Sequence, residues 1–193
     1  MGVMGHDRAT NRAAFIAALD KAVDLDDCGE RCEEVKKILE YAFQHQIEIL
    51  ESDHMRPAED KYARHLVHRD PAGRYSIVAM VWGVGQGTAL HDHAGEWCVE
   101  CVYRGLIRVT SFDLVGSCES AVVQFKPEDS ILAGVGEAGA LIPPFEYHII
   151  ENALSDEATV TVHVYGHELT HCNIFVPVDG GYRKEVRELS YTA

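Results

Sequence analysis

From Arg74 onward the apolar residues recur at every second position, and this change of period confines most of the chain to short strands. The alternation marks candidate strands at 75–82, 97–103, 106–114, 120–125, 130–132, 147–151, 159–165 and 172–176. Turn-forming clusters fall between them: Gly83-Val84-Gly85-Gln86-Gly87, Arg104-Gly105, Lys126-Pro127-Glu128-Asp129 and Pro143-Pro144. Many short strands at regular spacing argue for a closed or sandwiched all-β body. Before Arg74 the spacing is helical, first over 14–23 and then over about 33–50. Val35, Ile38, Leu39, Ala42, Phe43, Ile49 and Leu50 form the second apolar stripe. The expected plan is one domain over 1–193, with a helical part over about 10–70 packed outside a β-barrel over about 74–178.

Charge narrows the function. The 193 residues carry 31 acidic against 17 basic side chains, a formal net charge of -14. Such a chain repels a phosphate backbone, and it has no basic stretch to counter the repulsion, so no nucleic-acid partner is expected. No run of roughly 18 apolar residues is free of charge, so no membrane span is expected either. The N-terminal residues Met1 to Arg8 lead into an amphipathic stretch rather than a secretory leader. The expected location is therefore cytoplasmic, where the six cysteines stay reduced. Cys98-Val99-Glu100-Cys101 has redox-motif spacing, yet it lies in a strand pattern that points its two thiols to opposite faces.

The segment Gly85-Gln86-Gly87-Thr88-Ala89-Leu90-His91-Asp92-His93 is the strongest local signal. In an extended segment His91 and His93 share one face, and two imidazoles there can hold one divalent ion. Asp92 faces the other way, where a structural role suits it better than ligation. Alone, such a pair also occurs in ordinary strands. Gly85, His91, His93 and Gly105 fall on a pattern that resembles the first cupin motif, with Cys98 standing where that motif carries a glutamate ligand. His148-Ile149-Ile150-Glu151-Asn152 resembles the second motif, although Pro143-Pro144-Phe145 departs from its usual PxG. The resemblance implies a cupin (jelly-roll) barrel that brings His148 beside His91 and His93. Three imidazoles suit zinc as well as iron, so ligand type alone selects neither.

Replacement of the cupin glutamate by Cys98 resembles the cysteine dioxygenase family. In that family the cysteine can form a thioether with a tyrosine, and Tyr165 matches the partner. Thr161-Val162-His163-Val164-Tyr165 resembles its Ser-x-His-x-Tyr strand, with Thr161 keeping a hydroxyl that can orient His163. Tyr62-Ala63-Arg64 resembles the segment whose arginine binds the substrate carboxylate; without that match, Arg64 reads sooner as an ordinary arginine on a helix surface. The resemblance spans roughly 62–165 and implies one Fe(2+) per chain, held by His91, His93 and His148. It further implies oxidation of free L-cysteine by O2 to cysteine sulfinate, in a monomer or weak homo-oligomer. Two other readings stay open: a dioxygenase for another small thiol such as 3-mercaptopropionate, and a cupin that binds a ligand without turnover. Arg64 and Cys98 favour cysteine, because the 3-mercaptopropionate enzymes generally carry glutamine and glycine at these places. Trp97 suits the core better than a pocket wall, and His167 and His171 are expected at the surface.

Overall fold

The computed structural model describes residues 8–144 and 146–192. The first seven residues, used above to argue against a leader, and Phe145 lie outside the described residues. Helix α1 spans Arg8–Ala22 and α2 spans Cys28–Gln44. Asp27 starts α2 by accepting the Glu30 backbone N–H at 2.9 Å. The second helix thus begins before the expected 33 and stops well short of 50. Gln46 adopts a left-handed backbone (φ 55°), which ends the helix. Ile49 and Leu50 are buried all the same, from an irregular segment leading to a short 3-10 turn at Ser52–Met55.

Eleven strands follow among the described residues: β1 (Ala63–Arg69), β2 (Ser76–Trp82), β3 (Leu90–His91), β4 (Cys98–Arg104), β5 (Leu106–Val115), β6 (Gln124–Gly134), β7 (Ala138–Leu141), β8 (Tyr147–Asn152), β9 (Thr159–Tyr165), β10 (His171–Val178) and β11 (Gly181–Glu188). They form two antiparallel sheets, ordered β1-β2-β9-β4-β7 and β11-β10-β3-β8-β5-β6, which make the cupin-type all-β barrel. The β part extends further than expected at both ends. Residues 63–69, placed in the helical part from sequence, form strand β1, and β11 carries the barrel past 178. The expected turn at Lys126–Asp129 is absent, because β6 runs through it as one edge strand. A register shift opposite Thr110 and Phe112 accommodates Pro127, at an edge where the missing N–H breaks few ladder bonds.

Period two sorts the side chains of the first sheet into two cores. Ile77, Ala79 and Val81 of β2, with Val160, Val162 and Val164 of β9, pack outward with Leu39 and Phe43 of α2. Val78, Met80 and Trp82 face the barrel interior with Cys98, Val102 and Tyr165. Cys98 and Cys101 accordingly lie in different cores, as their spacing in the strand requires. Full burial of a valine or leucine contributes about 1.5–3 kcal/mol, so α2, which has no basic residue in its last turn, is held chiefly by packing. Between β4 and β5, Gly105 (φ 90°) passes so close to Thr159 that a Cβ would lie 2.4 Å from its hydroxyl oxygen. Asn152 ties the interior end of β8 to β2 by donating to the carbonyls of Trp82 (3.0 Å) and Gly83 (3.1 Å). No helix among the described residues is long and apolar enough to cross a membrane.

Candidate metal centre

His91 and His148 are direct cross-strand partners on β3 and β8, so their side chains leave the sheet on one face. His93 lies just beyond β3, where Ala94 (φ 55°) and Gly95 (φ 84°) turn the chain back toward β4. Asp92 points away and anchors β10, accepting from the Asn173 backbone N–H (2.9 Å) and side-chain amide (2.7 Å). The three rings converge, with one nitrogen of each within 4.8 Å of the others. His91 Nδ1 donates to the Ala89 carbonyl at 3.0 Å, which leaves its Nε2 bare. That nitrogen lies 3.2 Å from His148 Nε2. Two adjacent ligands of an ion bound at about 2.1 Å stand about 3 Å apart, so the pair fits a divalent cation.

Burial keeps these imidazoles neutral. It pushes His91 down to about 3 and His93 down to about 4, and it lowers His148 well below the ordinary histidine value. Neutral imidazoles present lone pairs, which a cation requires. The donor set therefore fits a resident metal such as iron.

The facing sheet supplies the rest of the chamber. Thr161, His163 and Tyr165 share the inner face of β9, and Cys98 and Glu100 share that of β4. Cys98 is the cross-strand partner of Tyr165, and Glu100 that of His163. Trp82 Nε1 donates to Thr161 Oγ1 at 2.8 Å, and the same oxygen lies 2.8 Å from His163 Nε2. No hydrogen bond joins His163 to Tyr165 among the described residues; their rings lie nearly parallel, with centroids 5.8 Å apart. The three side chains share a face, but the hydrogen bonds that run from Trp82 through Thr161 stop at His163. Burial raises the Tyr165 phenol well above its ordinary value and holds it protonated. Burial likewise raises the Cys98 thiol, against a hydrogen bond from Tyr165.

Arg64 lies in β1, not on a helix surface, and only 4% of it is exposed. Its guanidinium reaches the Leu169 carbonyl (3.3 Å) and the Ser190 carbonyl (3.4 Å), while Nε is buried without a partner. The C-terminal segment runs alongside: Thr192 N donates to the Arg64 carbonyl (2.7 Å), the Arg64 N–H donates to Thr192 Oγ1 (3.0 Å), and the Tyr191 ring lies 5.4 Å from the guanidinium carbon. Tyr62 stacks on Trp82 at 4.6 Å. A small inner chamber of about 20 Å³ touches Arg64, His91, His93, His163 and Tyr165. An outer vestibule of about 320 Å³ shares Tyr62, Arg64, Thr88, His91, Cys172 and Leu189 with it. Trp97 belongs to the outer core, against a Gly166 whose added Cβ would strike its ring at 2.3 Å. His167 and His171 are exposed.

Two carboxylates and one segment at this centre escaped the sequence reading. Glu100 Oε2 lies 3.4 Å from His163 Nδ1 and its Oε1 lies 3.8 Å from His148 Nδ1. Glu146 Oε2 lies 3.7 Å from His93 Nδ1. Burial pushes Glu100 up to about 8 and Glu146 up to about 7, whereas a divalent cation at the histidines works the other way. The segment is Leu189 to Thr192, which walls the vestibule.

The sequence model of the family described as cysteine dioxygenase type I matches residues 11–177. Cysteine dioxygenase type 1 of Danio rerio is 25% identical over 116 residues, 60% of this chain and 56% of that protein. The Homo sapiens protein of the same name is 24% identical over 115 residues, with the same shares covered. The chain thus spans little more than half the length of these curated relatives. Among solved structures, a conserved protein with a double-stranded β-helix domain from Klebsiella pneumoniae matches with a TM-score of 0.44 and 18% identity, covering 60% of this chain and 84% of that one.

Proposed function

The chain belongs to the cysteine dioxygenase type I family, and on that premise we propose that it is an iron(II) enzyme converting free L-cysteine and O2 to cysteine sulfinate. The observation that carries this reading is the placement of Arg64. A buried guanidinium with an unpartnered Nε shares one chamber with His91 and His93, two of the three convergent histidines. A cation so placed stays buried only where an anion completes it, and a planar fork matches a carboxylate. The substrate is then a small amino or carboxylic acid thiol, with its carboxylate at Arg64 and its sulfur toward His91, His93 and His148.

Iron(II) at these histidines would supply the redox chemistry by which both oxygen atoms of O2 end on sulfur. The chain supplies position and polarity. Tyr62, stacked on Trp82, closes one side of the carboxylate site, and Leu189 closes another. Tyr165 keeps its proton and serves as a hydrogen-bond donor toward the substrate, while Thr161 and His163 fix the wall beside it. Cys98 and Tyr165, opposite one another in register, are placed for a thioether that would restrain the phenol. Forming it removes two protons and two electrons, which together reduce one O2 to H2O2. The free thiols of the described cysteines suit a reducing cytoplasm.

The test is oxygen uptake by anaerobically iron-loaded protein, with cysteine and 3-mercaptopropionate side by side and sulfinate quantified. Stoichiometric cysteine sulfinate, with the higher kcat/KM for cysteine, is the expected result. Preference for 3-mercaptopropionate would overturn the role given to Arg64. No uptake with either thiol at full iron occupancy would refute the dioxygenase reading.

A further inference from the structure

Glu100 is unusual for a residue this deep. Its carboxylate is 4% exposed, lies between the two sheets and has no hydrogen bond to its Oε2. Burying such a group uncompensated costs several kcal/mol, so its surroundings must supply a compensating partner in the working protein. Two ring nitrogens stand beside it. His148 Nδ1, also buried without a partner, lies 3.8 Å from Glu100 Oε1, and His163 Nδ1 lies 3.4 Å from the unpartnered Oε2.

The tautomers follow from the remaining contacts. Thr161 Oγ1 already accepts the Trp82 N–H, so its own proton is free to go to His163 Nε2. His163 then carries its proton on Nδ1, which faces Glu100 Oε2 at 3.4 Å. His148, if its Nε2 is to serve as a ligand, must also carry its proton on Nδ1, which faces the other Glu100 oxygen. Both N–H groups converge on one carboxylate.

We propose that Glu100 is a positioning residue that accepts the Nδ1–H of His148 and of His163 at once, joining a metal ligand to the wall that carries Tyr165. This rests on the three-histidine site proposed above. The role matches a general feature of metal sites, in which a ligating histidine gives its second N–H to a carboxylate that orients the ring and raises its basicity. Here the anion stands behind the ligand ring, on the side away from Nε2. A three-histidine site without a carboxylate ligand thereby regains a negative charge one shell out.

The test compares Glu100→Leu and Glu100→Gln with the wild-type protein in two measurements. The first is affinity for Fe(II) under anaerobic conditions, and for Co(II), by competition with a chromophoric chelator. The second is thermal unfolding of the metal-free proteins. Both substitutions should weaken metal binding about 10- to 100-fold and alter the ligand-field absorption of the Co(II) form. Metal-free Glu100→Gln, which keeps an acceptor for one of the two N–H groups, should melt close to the wild-type temperature, so that its loss of affinity reads the lost charge and not a lost fold. Loss of stability in step with loss of affinity would show a structural role and overturn the proposal. Unchanged affinity in both variants would overturn it as well. His148→Ala separates this failure from that of the site itself: if it binds metal as tightly as the wild type, the three-histidine reading falls, whatever Glu100 does.

Discussion

Thr161→Val is the sharpest test of the polar wall behind the candidate centre. Valine keeps the shape of threonine and replaces the hydroxyl by a methyl group. Thr161 is fully buried, so no solvent can replace the lost group. Two partners are stranded together: the Trp82 N–H and His163 Nε2, each 2.8 Å from the hydroxyl oxygen. Leaving one buried polar atom unpaired costs about 1–3 kcal/mol, so the pair predicts a loss of about 2–6 kcal/mol. In a chain of this size each kcal/mol lowers Tm by roughly 2–4 °C, and a loss of ~3 kcal/mol lowers it by roughly 6–12 °C. Thr161→Ser keeps the hydroxyl and removes one buried methyl, at about 1 kcal/mol. Urea unfolding followed by the fluorescence of Trp82 and Trp97, the only two tryptophans, measures both variants. A valine variant as stable as the serine variant would refute the hydrogen-bond account of this wall.

Arg64→Gln, which keeps donors but removes the charge, should lower kcat/KM for cysteine by about 10- to 100-fold, given that hydrogen bonds to charged groups are worth about 1.5–3 kcal/mol; an unchanged KM would remove Arg64 from the carboxylate site. Truncation after Glu188 deletes the Ser190 carbonyl, the Tyr191 ring and the Thr192 pairing around Arg64. It should raise KM for cysteine by about 10-fold or more, on the same scale for lost contacts to a charge, while Fe(II) affinity stays the same. A fall in metal affinity instead would mean that the segment supports the barrel rather than the substrate. Asp70 accepts from the Arg74 backbone N–H and guanidinium at 2.9–3.0 Å, and those bonds hold its carboxyl well below the usual range. A depressed carboxyl contributes stability that is present above its unfolded pKa, near 3.8, and disappears as pH falls through the folded value. Asp70→Asn should therefore be less stable than the wild type at pH 7, with the gap closing below about pH 3 in pH-dependent unfolding; a constant gap would contradict the assignment.

The parts of the fold that were legible in the sequence are those whose signal is local. Alternation over β2, β4 and β9 survives because these strands separate an outer core from an inner one, and each position has a fixed side. The convergence of the three histidines was legible because His91 and His93 are two apart and His148 lies in a strand with its own alternation. Strand β1 was not: Ala63 to Arg69 mixes two arginines and two histidines with apolar residues, and its burial follows from β2 beside it rather than from its own pattern. Strand β11, Gly181-Tyr182-Arg183-Lys184-Glu185-Val186-Arg187-Glu188, is mostly charged because it forms an edge, and β7 is too short and too rich in small residues to announce itself. The C-terminal wall has no local signal at all, since Thr192 meets Arg64 across 128 residues of chain. Glu100 did carry one: it shares parity with Cys98 in a strand with both faces covered, so its carboxylate had to enter the barrel.

That parity also explains how β4 can serve two purposes. Side chains two apart on a strand leave the same face from Cα atoms about 6.5–7 Å apart, so each position meets its own cross-strand partner. Cys98, where the cupin pattern carries a ligand, is opposite Tyr165, and Glu100 is opposite His163. With a thiol at the first position, the strand gives up a charged ligand and gains a partner for the phenol. With a carboxylate at the second, it sets an anion behind His148, on the side away from the convergent nitrogens. The charge therefore remains beside the centre, at the Nδ1 atoms of His148 and His163 rather than at the Cys98 position. An exchange of contents between the two positions would reverse the arrangement, giving the histidines a carboxylate neighbour while leaving Tyr165 without its thiol and His148 without its anion.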